Sequence, residues 1–192
     1  MIEKTFRFVT LAATALAMTV TPLLAQSASS SADEGETVKR PVPSREDYPD
    51  AGQAFGMVWH YKDYDEKPLL AFQVPETDNE LWTMACQKQR DGSVRIANMI
   101  IATPKELVAE DSFGFTIRVD DGPSIGILAR MLPASIEGEN YHMPQFYLPN
   151  SHNLFPALAR GSRAYVNLNG NKFSMHLNGS GAALTKFLKT CQ

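Results

Sequence analysis

Two runs near the C-terminus constrain the fold most. SRAYVNL (162–168) and NKFSMHL (171–177) flank Asn169-Gly170. Asn-Gly is the favoured two-residue type I′ hairpin loop, because both central positions need positive φ. A loop of that length sets the register. Val166 stands opposite Phe173 and Ala164 opposite Met175, and all four are expected to face the core. Tyr165 opposite Ser174 and Arg163 opposite His176 take the other, solvent side. Turn chemistry and alternation agree, which is the condition for a well-specified register.

The same grammar recurs upstream. FGMVWH (55–60) carries Phe55, Met57 and Trp59 on one side. LLAFQV (69–74) and LWTMAC (81–86) follow, and SVRIANMII (93–101) comes after Asp91-Gly92. In FGFTIRV (113–119), Phe113, Phe115, Ile117 and Val119 alternate with Gly114, Thr116 and Arg118, the pattern of a strand with one buried and one wet face. Asp120-Asp121-Gly122-Pro123 then turns the chain into SIGILAR (124–130). Two helices are expected. Asn153 caps one near 154–160, with Pro156 in its first turn and Gly161 as its stop. The other runs near 181–190, with Leu184, Leu188 and Cys191 on one stripe and Phe187 beside it. The expected class is mainly β (α+β): an antiparallel sandwich or half-barrel of six to eight short strands with these two helices packed on it.

The N-terminus places the chain. MIEKTFR is net positive, FVTLAATALAMTV is apolar and uncharged, and Pro22 precedes the small residues LLAQSASSS. That is the layout of a secretory signal peptide, expected to span 1–25 with cleavage after Ala25. The apolar run falls short of the roughly 20 residues a membrane span needs. Residues 26–51 are rich in Ser, Pro and charge and are expected to form a disordered leader. The single β-rich domain is then expected over 52–192. Of 18 basic and 21 acidic side chains, cleavage removes Lys4, Arg7 and Glu3 and leaves a net charge of −4. With a mild acidic excess and no basic stripe, no nucleic-acid partner is expected. The chain is expected to be periplasmic or secreted.

Export decides how Cys86 and Cys191 are read. Disulfides persist in oxidising compartments, so the pair is expected to be bridged. A catalytic thiol would need a nearby base, and zinc needs clustered ligands. Two lone cysteines and scattered histidines supply neither, and no metal or cofactor is expected. Ser180 sits between a strand and a helix, but Asn-Gly-Ser-Gly-Ala lacks the outer glycines of a Gly-x-Ser-x-Gly elbow. It is read as the cap of the last helix. His60 lies beside Asp63, Asp65 and Glu66 in a turn of mixed charge, and Asp120-Asp121 builds a turn. No catalytic residue is assigned.

A binding surface is the stronger candidate. The stretch 137–152, read as a loop, carries Tyr141, His142, Met143, Phe146 and Tyr147, and aromatic and methionine side chains are favoured at contacts. Arg163, Tyr165 and His176 on the hairpin's outer face form a second patch. The Trp82-x-x-x-Cys86 step, the hairpin after Gly161, and Gly179 leading into Ala183-Leu184 resemble the invasion-associated locus B family of small exported proteobacterial proteins. The resemblance covers about residues 80–191, and Cys191 so near the end is a departure from it. It implies an envelope-space β-rich domain that is not an enzyme. The expected function is therefore an exported, non-catalytic domain that binds a protein or cell-envelope component. The alternatives are an exported hydrolase with a dispersed site, or a structural accessory of an envelope or secretion assembly.

Overall fold

Nine strands form one sheet in the order β1-β2-β3-β4-β7-β6-β5-β8-β9, with every neighbouring pair antiparallel. The computed structural model describes residues 41–52, 55–64, 67–104, 111–136 and 139–192, and these belong to one compact unit. The expected signal peptide (1–25) and residues 26–40 of the expected leader lie outside the described residues. The strands are β1 Val58–Tyr64, β2 Lys67–Gln73, β3 Glu80–Lys88, β4 Val94–Ile100, β5 Ser112–Val119, β6 Ser124–Ile136, β7 Glu139–Pro149, β8 Arg163–Leu168 and β9 Asn171–His176. Helix α1 spans Leu154–Arg160 and α2 spans Ser180–Thr190.

The sheet curls until its two outermost strands touch. The Trp59 indole N–H donates to the His176 carbonyl at 3.0 Å, and His176 Nε2 lies 2.9 Å from the Met57 carbonyl. The His176 ring meets Phe72 edge to face at 5.2 Å. Of the two expected layouts this is the half-barrel, made from one sheet and not from two stacked ones. The right-handed twist of strands accumulates across nine of them and supplies the curl.

The last hairpin has the register read from its sequence: Val166↔Phe173, Ala164↔Met175, Tyr165↔Ser174 and Arg163↔His176. Asn169 (φ 47°) and Gly170 (φ 89°) supply the left-handed turn. Ala164, Val166, Phe173 and Met175 are buried. The other face departs from expectation, because Tyr165 and Ser174 are buried too. Residues 48–51, the end of the expected leader, lie along β9 and cover them. Just before this segment, the Ser44 carbonyl accepts from Tyr48 N–H in a single turn.

The ninth strand is the one the sequence hid. β7 runs through the stretch read as a loop, and β6 is 13 residues long to match it. Prolines disguise it. Pro144 stands opposite Met131, one residue beyond the end of the β4 ladder at Gln145, and Pro149 ends that ladder opposite Arg95. A missing N–H is tolerated at such ladder ends. Glu139 opens β7 and Glu137 lies outside the described residues. Phe55 is the other misplacement. It is 67% exposed in the turn before β1, while Met57 and Trp59 turn inward.

The concave side holds the core. Trp59, Leu70, Phe72, Trp82, Met84, Ile96, Phe115, Ile117 and Phe146 meet Leu154, Phe155 and Leu158 of α1 and Leu184 and Phe187 of α2. The buried stripe of α2 is Leu184, Phe187 and Cys191, with Leu188 half-buried at its margin. Where the two helices cross, a Cβ at Gly181 would stand 2.6 Å from the Ala159 carbonyl, so only glycine fits. The Cys86–Cys191 disulfide is formed, with Cα atoms 5.5 Å apart, and ties the end of α2 to β3.

Asp120 does more than turn the chain. Its carboxylate accepts from Ser162 N–H and Arg163 N–H at 2.9 Å each, and its own N–H donates to the Arg163 carbonyl. It clamps the start of β8 to the β5–β6 turn with a positive φ of 48°. We predict that Asp120→Ala lowers stability in urea unfolding by about 2 kcal/mol, since hydrogen bonds to a charged group contribute about 1.5–3 kcal/mol. Asp120→Asn, which tolerates the left-handed backbone and keeps an acceptor, should lose less.

Candidate functional site

The alternation of β7 splits the five residues proposed on it. Phe146 points into the core, where its ring lies 5.2 Å from Phe115 and 6.2 Å from Trp82. His142 shares that side of the strand but is exposed, opposite Pro133 beyond the packed core. Tyr141, Met143 and Tyr147 take the convex side. Tyr141 is 43% exposed and Tyr147 42% exposed, whereas Met143, opposite Leu132, is buried.

The convex face adds residues that the sequence reading passed over. Leu128 is 73% exposed. It pairs with Gly114 on β5, while Tyr147 pairs with Ala97 on β4. The β6–β7 ladder ends at the Arg130–Gln145 pair, two residues short of both Leu128 and Tyr147. Gly126 and Gly114 flank Leu128 on this face, and a Cβ at either would meet nothing within 4 Å. Leu128 and the two glycines border a saddle of about 560 Å³ that Thr116 and Asn167 also line. The signal for Leu128 was present in SIGILAR, where an apolar residue occupies the wet phase of the strand.

The second proposed patch is not joined to this one. β8 is three strands from β7, roughly 14 Å at the usual strand spacing. Arg163, Tyr165 and His176 are all partly or wholly covered. Arg163 pairs with Asp50 and also donates to Ser174 Oγ at 3.1 Å. Tyr165 meets Tyr48 edge to face at 5.6 Å. His176 is half-buried against Phe72 and Met57.

Ser180 is no exposed nucleophile, and its expected capping role is also corrected. The hydroxyl is fully buried and lies 2.7 Å from the carbonyls of both Leu158 and Leu177. Its single O–H is shared between these oxygens, where a cap would accept from an N–H. Gly179, with φ 85°, holds the N-cap position of α2. Ser180 therefore stitches the end of α1 to the turn before α2. Asn153 makes no side-chain cap bond on α1 either. His152 Nδ1 instead accepts from Leu154 N–H at 3.2 Å.

A polar cleft of about 680 Å³ lies between His60 and Lys62 of β1 and the β2–β3 turn at Glu76, Thr77 and Asp78. Lys62 pairs with Glu80 at 3.5 Å. Asp65 and Glu66, which accompany His60 in the sequence, lie outside the described residues. Among the described residues no three His, Cys, Asp or Glu side chains are grouped to hold a metal ion. No described helix is long and apolar enough to cross a membrane.

No protein-family model matches the chain, and no curated protein matches it. Among solved structures, the chain is similar to the crystal structure of invasion associated protein B from Bartonella henselae. That match has 14% identity and a TM-score of 0.41, and it covers 69% of this chain and 93% of the other. The likeness is one of fold.

Proposed function

We propose that the protein is an exported, non-catalytic domain that binds a protein or cell-envelope component through the convex face of its sheet. The observation that supports this reading is the exposure of Leu128, with Tyr147 exposed on the neighbouring strand β7. An exposed leucine in mid-sheet, framed by two glycines, leaves apolar surface uncovered where alternation would place polar side chains. Contiguous exposed apolar surface marks contact sites, and tyrosine is enriched in them. The disulfide fits an oxidising compartment. The partner then sits on a rigid sheet and not on a mobile loop.

The test is a double variant, Leu128→Asp with Tyr147→Ser, compared with the wild type for retention on an envelope fraction from the source cells. Neither side chain belongs to the core, so thermal stability should change little. Retention should fall at least about tenfold, the loss of 1.4 kcal/mol or more of contact energy. Equal retention of the variant and the wild type would refute this surface.

A further inference from the structure

A different feature lies at the edge of β9, where Asp50 makes one isolated parallel bridge to Ser174. Ser174 N–H donates to the Pro49 carbonyl at 2.9 Å, and the Ser174 carbonyl accepts from Ala51 N–H at 2.7 Å. Asp50 and Ser174 form the bridge between these bonds. Ser174 Oγ donates to the Tyr48 carbonyl at 3.0 Å. The Tyr48 ring stands on Tyr165, and Lys172 Nζ lies 5.6 Å from its centroid. The Asp50 carboxylate pairs with the Arg163 guanidinium.

This is the division of labour of peptide recognition by strand addition, in which backbone bonds supply affinity and side-chain seats supply specificity. The seats are an aromatic platform, a cation beside it, and an arginine two residues further along the peptide. The occupant is Tyr48-Pro49-Asp50, an aromatic residue, a proline and an acid, with the chain bending at Tyr48 and bridging at Asp50. One backbone bridge, the Asp50–Arg163 pair and the contacts of Tyr48 hold it, and the turn at Ser44–Asp47 that precedes it is closed by its own bonds to Ser44. An exposed sheet edge is a template for pairing with another chain unless something covers it.

We propose that the β9 edge, with Tyr165, Arg163 and Lys172, is a docking site for an aromatic–Pro–acid segment of another protein, and that residues 48–50 hold it as an internal pseudo-ligand. Its residues are distinct from Leu128 and Tyr147, so the two sites fail separately. Tethering gives the internal strand an effective concentration on the order of millimolar, so an external segment must overcome that to enter.

The test uses the full chain carrying Tyr48→Ala and Asp50→Ala, titrated with a synthetic peptide of residues 44–52 and followed through backbone amide resonances. Saturable shifts at Ser174, Tyr165 and Lys172 are expected. A peptide with alanine at its own tyrosine and aspartate should bind at least about tenfold more weakly, and Arg163→Glu in the opened protein should weaken binding of the unaltered peptide. A folded, disulfide-closed variant that shows no saturable shift up to millimolar peptide would overturn the proposal. Should the double variant fail to fold, the wild type decides. Several millimolar unaltered peptide should displace the Asp50 and Ala51 amide resonances from their bound positions, and no displacement would overturn the proposal.

Discussion

Replacing both Cys86 and Cys191 by alanine is expected to lower stability by about 4–5 kcal/mol. The sequence separation is 105 residues, and in the chain-entropy account a bridge closing a loop of about 100 residues contributes on that scale. Domains of this size hold only about 5–15 kcal/mol in all, so the loss is a large share. The effect has a structural target. Cys191 is buried at the end of α2, and α2 packs on α1, β1 and β2. Without the bridge, the C-terminal half of α2 keeps Lys186 over the Tyr61 ring and the contact between Tyr61 Oη and Thr190 Oγ1, which are individually weak. Thermal unfolding of the variant beside the wild type should show a fall in Tm of roughly 10 °C or more. Amide exchange should show α2 opening first. A fall of a degree or two would mean that packing alone holds the terminal helix.

Trp82→Ala is the second large effect. Trp82 is the largest of the fully buried side chains and lies mid-strand in β3. Its ring meets Trp59 and Phe146, and its indole N–H donates to Asn98 Oδ1 at 3.2 Å. Asn98 is itself buried, and its amide N–H donates to the Ile96 carbonyl. Truncation therefore opens a cavity and also leaves a buried acceptor without its donor. Core Trp→Ala changes cost about 3–5 kcal/mol, and an orphaned buried polar group adds about 1–3. Trp82→Phe fills most of the volume and keeps only the second penalty. Denaturant unfolding should therefore rank wild type, Trp82→Phe and Trp82→Ala in that order, with the larger step at the second change. Equal losses for both variants would place the cost in the Asn98 hydrogen bond and not in the cavity.

How far the fold was legible depended on whether each element carried its own signal. The β8–β9 hairpin did, because Asn169-Gly170 and the alternation agree, and its register holds residue for residue. β5 did, since Phe113, Phe115 and Ile117 are buried while Gly114 and Thr116 are exposed. The disulfide was legible from compartment chemistry. β7 was not, because Pro144 and Pro149 argue against a strand when read locally, and only the ladder ends show why they are tolerated. The convex site was half legible. Tyr147 stood out by residue type, and Leu128 was visible in SIGILAR as an apolar residue in the wet phase, but its pairing with Gly114 shows only across the ladder. Tyr165 and Ser174 were assigned to solvent because a strand's alternation cannot foresee a distant segment lying on its outer face. The bonds of Asp120 to Ser162 and Arg163, more than 40 residues away, were invisible for the same reason.

These features describe one device. A rolled sheet buries its concave side on two helices, and a bridge fastens the last helix. The central claim is that this is an exported domain closed by its own disulfide. It is tested most directly by the intact mass of the protein recovered from the source cells, with thiol alkylation before and after reduction. The account predicts a mass matching cleavage near Ala25, no alkylation of the unreduced protein, and addition at both Cys86 and Cys191 after reduction. A chain that retains its N-terminal 25 residues and alkylates at both cysteines without reduction would contradict it.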